Sequence, residues 1–490
     1  MARRAELLNG IPEIRQTPAS TVSEAFGPGS HRLIVLDDDP TGAQAVAQLP
    51  VLTRWQIPDF QWAFAQGGSA IYVLTNTRSL DPAETERINR EIVTNALAAA
   101  AQDEAPKKKE LSFLSRGDST LRGHFPLETD TIAEVLSQHG QVTDAVILAP
   151  AFPAAGRVTI KGVHYFAQVD ELTPIAQTEF AQDATFGFSS SALTDYVEEK
   201  TDGRIPASAV TIIDVHTIRS EGAQAVAAIL KQSSNGQVVV IDALEDADLS
   251  TAALGIHQAH RRGKRFLYRT GPTFVRSLIG QAPPEPLSAA DAAGLANDRS
   301  VRGGLIAVGS HTALTTAQLD RLRTAAPALQ VATVELELER ILDVAGAEYE
   351  AYLAGLAREA AGWLGQGNVI ISTSRLVRRG ASPEDSLRIA REVSAAMVRL
   401  VAGILELVKP RFIIAKGGIT SSDIATRALA MHHGWVHGPV LPGTISLWEP
   451  RDGIGSEIPY IVFPGNVGDA QALATVTEKL SSSPEPGAGS

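Results

Sequence analysis

The chain has no cysteine at all. That absence removes disulfides, thiolate nucleophiles and Cys-ligated zinc or iron–sulfur centres together, and it fits a reducing cytosol. Aromatic residues are scarce as well, at 5% of the sequence. No window reaches the roughly 18 uncharged apolar residues of a membrane-spanning helix. The nearest, residues 395–407, carries Arg399 and Glu406 at helical spacing and reads as an amphipathic or core helix. The opening MARRAELLNGIPEIRQ starts basic but has no apolar run behind its two arginines, which argues against a secretory leader. The expectation is a soluble, cytoplasmic protein. There is no basic excess: 43 Lys and Arg face 55 Asp and Glu, a net charge of −12. A nucleic-acid surface spread over the molecule is thereby disfavoured, although a local basic pocket for a small anion is not. Also missing are G-x-x-x-x-G-K-[ST], G-x-S-x-G, H-E-x-x-H and G-x-G-x-x-G. Their absence weighs against P-loop, serine-hydrolase, zincin and dinucleotide-binding readings.

What the chain does have is length: 490 residues, enough for two or three domains at roughly 100–200 residues each. Hydrophobic content of 44%, with 41 glycines and 27 prolines, describes an α/β protein with many tight turns. Short β-branched runs at 33–36, 71–75, 145–148, 210–213 and 238–241 alternate with helical stretches at 81–101, 126–138, 220–231 and 246–262. Continuous apolar strands separated by helices indicate a mostly parallel sheet covered on both faces. A Pro-rich stretch from Gln281 marks a linker, and a second series follows. Its strands are expected at 305–308, 331–334, 369–372 and 412–415, and its helices at 313–324, 345–364, 383–407 and 421–430. The predicted architecture is two α/β lobes with an active-site cleft between them. Residues 1–30 form an extended arm, 31–275 the first lobe, 276–302 the linker, 303–482 the second lobe and 483–490 a disordered tail.

Four stretches carry chemistry. Asp37-Asp38-Asp39-Pro40-Thr41-Gly42 follows the first strand, where ligands bind in open parallel sheets. Three adjacent aspartates repel one another, and a turn needs only one; they suit Mg²⁺ through water, sugar hydroxyls or a general base. Ser115-Arg116-Gly117-Asp118-Ser119-Thr120-Leu121-Arg122-Gly123-His124 flanks an Asp-Ser-Thr triplet with two guanidiniums, a set matched to an anionic, hydroxylated small molecule. In the 150–165 segment, Arg157 and Lys161 complement an acid, and His164 suits a hydrogen-bonding wall as well as a catalyst, a lone histidine being more often structural. In the second lobe, Lys416-Gly417-Gly418-Ile419-Thr420 closes a strand and opens a helix, a geometry in which backbone N–H groups cradle phosphates. Turns at 308–312 and 464–469 repeat it, and three together point to a nucleotide. The basic clusters 107–109 and 260–265 read as solvated faces. His432, His433 and His437 read as structural rather than metal-binding.

In this order, DDDPTG (37–42), TNTRSL (75–80), SRGDSTLRGH (115–124), PAFPAAGRVTIKGVHY (150–165), KGGITSSDIA (416–425), LPGTISLW (441–448) and PGNVGD (464–469) resemble the four-carbon acid sugar kinase family. That family includes threonate, erythronate and 3-oxo-tetronate kinases. The resemblance implies a sugar-acid-binding N-terminal domain, a nucleotide-binding C-terminal domain and ATP-dependent phosphorylation of a terminal hydroxyl. It places Asp37, Asp38, Arg78, Arg116, Asp118, Ser119 and Arg122 on the substrate side. Ser310, Gly417, Gly418, Thr420, Gly465 and Asn466 fall on the nucleotide side. Gly117 departs from the family pattern, which bears on substrate identity rather than class.

The mechanism expected is positioning and charge neutralisation. Arg116 and Arg122, with Arg78, hold the carboxylate. Asp38 first, or Asp118 second, accepts the hydroxyl proton, and Lys416 neutralises charge on the transferred phosphoryl group. The glycine turns hold ATP with Mg²⁺. A metal-dependent aldolase or dehydratase, or a sugar-acid-binding protein, is the alternative; the three glycine turns favour nucleotide use. The partners expected are a small anionic sugar acid and ATP, with neither nucleic acid nor membrane, and a homo-oligomer is compatible with the sequence.

Overall fold

The computed structural model describes residues 2–27, 31–39, 42–102, 110–296, 301–344, 346–374, 383–442 and 445–482. Pro40, Thr41, the 107–109 cluster and the 483–490 tail lie outside them. The chain divides into two compact units, residues 1–283 and 284–490.

The first unit is an all-parallel sheet of eight strands. Their spatial order is Thr211–Ile213, Gln237–Ile241, Ala145–Ala149, Phe266–Thr270, Glu110–Arg116, His31–Asp37, Ala70–Leu74 and Leu49–Leu52. Apart from the edge strand Thr211–Ile213, where Ile212 is exposed, these strands are largely buried on both faces, which is why they read as unbroken apolar runs rather than alternating ones. Helices cover them. Pro82–Ala101 starts where Asp81 accepts the N–H of Glu84 and Pro82 presets the first turn. Ile34, Phe60, Val73, Ile92, Phe113, Val135 and Val240 belong to the resulting core.

A second, antiparallel sheet in this unit joins Arg157–Ile160, Val163–Ala167, Glu171–Pro174 and the short strand Ala2–Arg3. The expectation of an extended arm over 1–30 is therefore corrected. Besides that strand, the arm holds helices Arg4–Leu8 and Ala19–Phe26, the latter burying Val22, Ala25 and Phe26. The helix expected over 220–231 is two, Val215–Ser220 and Ala223–Gln232, parted where Gly222 takes φ +77°.

In the second unit, Val331–Leu336, Asn368–Thr373, Leu305–Val308, Ile413–Lys416 and Tyr460–Phe463 run parallel, in that order. Ile445–Pro450 and His433–Leu441 then add an antiparallel pair that sequence periodicity did not reveal. Helices Ala313–Thr324 and Pro383–Leu407 fall where expected. The helix expected over 421–430 starts earlier, at Gly418, and continues as a π-turn over Ile424–Ala428. No helix among the described residues is long and apolar enough to cross a membrane.

Candidate substrate and nucleotide sites

In the first unit, parallel register brings the strand ends to one level: Asp37 lies beside Arg116 and Leu74, Arg116 beside Thr270, and Thr270 beside Ala149. The loops that follow carry the motif side chains, and burial forces these charges to pair. Arg116 donates to Asp37 and to the Asp39 carbonyl. Arg78 donates to Asp38 Oδ1 at 2.5 Å and to Asp39 Oδ2 at 3.0 Å. Arg122 Nε donates to Asp118 Oδ2 at 2.7 Å, where the Thr120 hydroxyl also donates.

Exposure then sorts these groups. The side chains of Asp37 and Asp38 are 0% and 1% exposed and that of Arg116 4%, whereas Asp118 keeps 13%, Arg78 21% and Arg122 30%. Burial pushes the Asp37 carboxyl up to about 7, with Arg116 pulling the other way. Burial raises Asp38 too, against the pull of Arg78, Arg116 and Arg269. Burial also acts on Asp118, but Arg78, Arg122 and Thr120 outweigh it and hold the carboxyl down at about 2. Asp37, Asp38 and Arg116, all placed on the substrate side by sequence, thus form the buried floor of this cluster. Asp118, Arg78 and Arg122 are its partly exposed groups.

Two members of this cluster were missed by sequence. Arg269 donates to Glu128 and to Ser115 Oγ (2.7 Å), and its guanidinium lies 3.8 Å from Asp38. Glu128 also accepts from Thr77 and Ser115, both at 2.7 Å. The guanidinium is packed against the motif backbone. A Cβ on Gly117 would stand 2.4 Å from Arg269 Cζ, and one on Gly123 2.5 Å from its Nη2. The glycines of SRGDSTLRGH are therefore the space Arg269 occupies. The only local hint was a charged residue inside the apolar run FLYRT.

Ser119 is held by its backbone: the buried His164 ring donates to its carbonyl at 2.8 Å and meets the Thr159 hydroxyl at 2.9 Å. Burial lowers that imidazole to about 4, which agrees with its reading as a wall. Arg157 lies over the rings of Phe166 and Phe180, at 5.2 and 5.7 Å. Lys161 is not brought to this cluster. It sits at the far end of the same strand, in the turn to Val163, its backbone N–H bound by Asp242. Four residues of strand are about 13 Å.

In the second unit three turns converge as expected. Val308 lies in register with Lys416, and Lys416 with Phe463, so the three strands end together. A Cβ on Gly309 would meet Thr420 Oγ1 at 2.0 Å, and one on Gly465 would meet Ser310 Oγ at 2.6 Å; Gly417, at φ +128°, approaches both Thr420 and the Ser310 N–H. Thr312, the N-cap of helix Ala313–Thr324, and Thr315 both donate to the Gly465 carbonyl at 3.0 Å. Gly418 opens the helix after Gly417, and Asn466 follows Gly465 on the exposed side of its turn. The site offers backbone N–H groups and hydroxyls of Ser310 and Thr420, donors suited to phosphate oxygens.

Lys416 is placed otherwise than expected. It is fully buried, donates to the Pro464 carbonyl at 2.8 Å and lies 4.0 Å from the Phe463 ring centroid. Burial lowers its amine to about 7. It braces the 464–465 turn from beneath rather than facing a phosphate. The histidines at 432, 433 and 437 meet Asp452 and Glu449. Among the described residues no group of three or more His, Asp or Glu is arranged to hold a metal ion.

Comparison with known proteins agrees with this division. Residues 33–278 match a sugar-binding N-terminal domain, and residues 305–473 a nucleotide-binding C-terminal domain. The first match alone spans half of the chain, and the chain belongs to the family built from these two domains, the architecture of the four-carbon acid sugar kinases. Two solved structures are similar in fold. One is a Salmonella typhimurium LT2 protein provisionally described as a tRNA synthase, at 18% identity, covering 91% of this chain and 98% of that one, with a TM-score of 0.65. The other is a Haemophilus influenzae protein from a domain family of unknown function, at 14% identity, covering 91% and 100%, with a TM-score of 0.62. No curated protein sequence matches.

Proposed function

We propose that the protein is an ATP-dependent kinase that phosphorylates the terminal hydroxyl of a four-carbon sugar acid of the threonate, erythronate or 3-oxo-tetronate type. The observation that carries this reading is the pairing of two chemistries in one chain. One family-defined unit gathers carboxylates and guanidiniums at its strand ends. The other folds three glycine turns around Ser310 and Thr420.

In this reading the partly exposed guanidiniums of Arg78 and Arg122 bind the anionic polyol. Asp118 orients the attacking hydroxyl and accepts its proton. A carboxylate held near 2 is a weak base, but a loose phosphoryl-transfer transition state asks more for orientation than for proton affinity. Asp38, sealed beneath Arg78, fixes that guanidinium and is not the first choice as base. The turns at Gly309–Ser310, Gly417–Gly418 and Gly465–Asn466 hold the nucleotide phosphates. The donor set at the turns, which is hydroxyl and N–H, fits phosphate oxygens rather than a dedicated metal cage, so magnesium would arrive with the nucleotide and would supply charge neutralisation there. Cytoplasmic location and a homo-oligomeric state belong to this proposal as well.

The test is coupled ADP release over a panel of threonate, erythronate and 3-oxo-tetronate stereoisomers with MgATP. The expected result is acid-dependent ADP formation with one preferred stereoisomer. It should be lost by at least about a hundredfold in Asp118→Asn, as for a positioned proton acceptor. Specific, tight acid binding with no ADP from any acid would favour the binding-protein alternative. Metal-dependent turnover without ATP would favour the aldolase or dehydratase.

A further inference from the structure

Arg157 is a cation that has no carboxylate partner among the described residues. Its guanidinium lies over Phe166 at 5.2 Å and Phe180 at 5.7 Å, and those two rings meet edge to face at 6.3 Å. Among the described residues its guanidinium donates to the Ala155 carbonyl alone, and its Nε is buried without a partner. Among the described residues no carboxylate comes within ion-pair distance of it, although Asp118 is near enough to act on it electrostatically. Arg122, the other guanidinium over Phe180 (5.3 Å), is by contrast paired with Asp118 at 2.7 Å. Phe180 itself sits on the short turn Glu179–Gln182, outside every strand of the unit.

An arginine stacked on aromatic faces keeps the edge of its fork free for bidentate pairing with a planar anion. The rings strip water from the cation and orient it. Such a cation is poorly satisfied by a neutral ligand and well satisfied by a carboxylate. We propose that Arg157, braced by Phe166 and Phe180, is the carboxylate seat of the sugar-binding unit, and that Phe180 is a specificity determinant that makes the site choose short hydroxy acids over the corresponding neutral polyols. The seat rests on the sugar-acid reading above and deepens it. It separates the end of the ligand read by Arg157 from the hydroxyl end facing Asp118.

The experiment is isothermal titration of the full chain with L-threonate and D-erythronate, and with threitol and erythritol as neutral partners, alongside ADP-release kinetics. Wild type is expected to prefer the better acid over its tetritol by on the order of a hundredfold. Arg157→Met keeps an apolar stem over the rings but removes the charge. It should weaken acid binding by at least about tenfold, leave tetritol binding within about twofold, and so collapse the preference. Arg157→Lys should recover part of it. Phe180→Leu should raise KM for the acid about fivefold, with kcat and KM for ATP nearly unchanged. Acid binding by Arg157→Met equal to wild type, or equal losses for acid and tetritol, overturns the seat. The two readings fail separately. Arg157-dependent acid binding without ADP removes phosphoryl transfer and keeps the seat; acid-dependent ADP formation untouched by Arg157→Met removes the seat and keeps the kinase. Wild type that binds no acid overturns both.

Discussion

Arg269 shows how much of a site one buried cation can arrange. It fills the space left by two glycines, neutralises Glu128 and lies beside Asp38. Gly117→Ala and Gly123→Ala each drive a methyl into that guanidinium, and at Gly123 the φ of +123° adds backbone strain. Each should cost about 1–3 kcal/mol, read as a fall in the urea midpoint at constant m-value. Acid binding should suffer as well, because Asp118 and Arg122 ride on the displaced loop. Arg269→Met goes further. It leaves Glu128, 4% exposed, without its cation, and an orphaned buried charge costs about 3–5 kcal/mol. The double variant Arg269→Met/Glu128→Gln should recover most of that stability, whereas additive losses would show that the pair is not coupled. The same residues mark the limit of sequence reading here. Asp37, Asp38, Arg116 and Asp118 were legible because they cluster in strand-end motifs. Arg269 and Glu128 stand alone in their segments, and only parallel register joins them to the motif. Sequence put Asp38 ahead of Asp118 as proton acceptor, and the proposed order is the reverse because burial, which residue type does not report, separates the two.

At the scale of elements, the helix Ala19–Phe26 was hidden in a proline-punctuated arm, and its anchor is a stack of rings distant in sequence. Phe26 stacks on His31 at 4.6 Å and meets His257 edge-on, while His31 stacks on His260 at 4.9 Å. His31 also bonds the Ser112 hydroxyl, and His257 the Leu278 carbonyl. Burial, then the neighbouring His260, lowers His31 to about 4; burial lowers His257 to about 3. Both are neutral when folded near pH 5, whereas in the unfolded chain each takes up a proton below about pH 6.5. Their contribution is therefore intact at pH 7 and is lost as pH falls from about 6.5 towards 4. Between pH 7 and pH 5 the loss is about 2 kcal/mol for each histidine. Carboxyls raised by burial, Asp37 foremost, act in the opposite sense over this range, so the measure is the comparison of urea midpoints at the two pH values between wild type and His257→Gln, which keeps a donor for Leu278: the variant should lose about 2 kcal/mol less than wild type on going from pH 7 to pH 5. Equal pH dependence in the two proteins would mean that His257 is not sealed. Long amphipathic helices such as Pro383–Leu407 were legible from their period. The hairpin of His433–Leu441 and Ile445–Pro450 was not, since its Gly, Pro and His content masks strand alternation.

At the scale of the whole molecule, the proposed reaction asks each unit for a separate affinity, so damage to one should leave the other's ligand unaffected. The second unit offers a clean way to impose that damage. Gly465 closes against the Ser310 hydroxyl, and its carbonyl is already held by Thr312 and Thr315. Gly465→Val inserts a branched side chain where a Cβ alone would stand 2.6 Å from Ser310 Oγ. The turn must then move, and with it the N–H groups proposed to face phosphate. Lys416, fixed beneath the turn by the Pro464 carbonyl, cannot compensate from its buried position. Nucleotide affinity should fall by at least about tenfold, as for the loss of one or two charge-assisted hydrogen bonds, while threonate or erythronate titrates as in wild type. Arg157→Met should show the reverse pattern, with acid affinity lost and ATP affinity kept. ADP formation needs both ligands and should fall in either variant, through KM for ATP in the first and KM for the acid in the second. If Gly465→Val weakened acid and nucleotide alike, with the fold intact by circular dichroism, the assignment of one ligand to each unit would be wrong. The glycine turns would then be parts of a single shared site rather than a nucleotide cradle of their own.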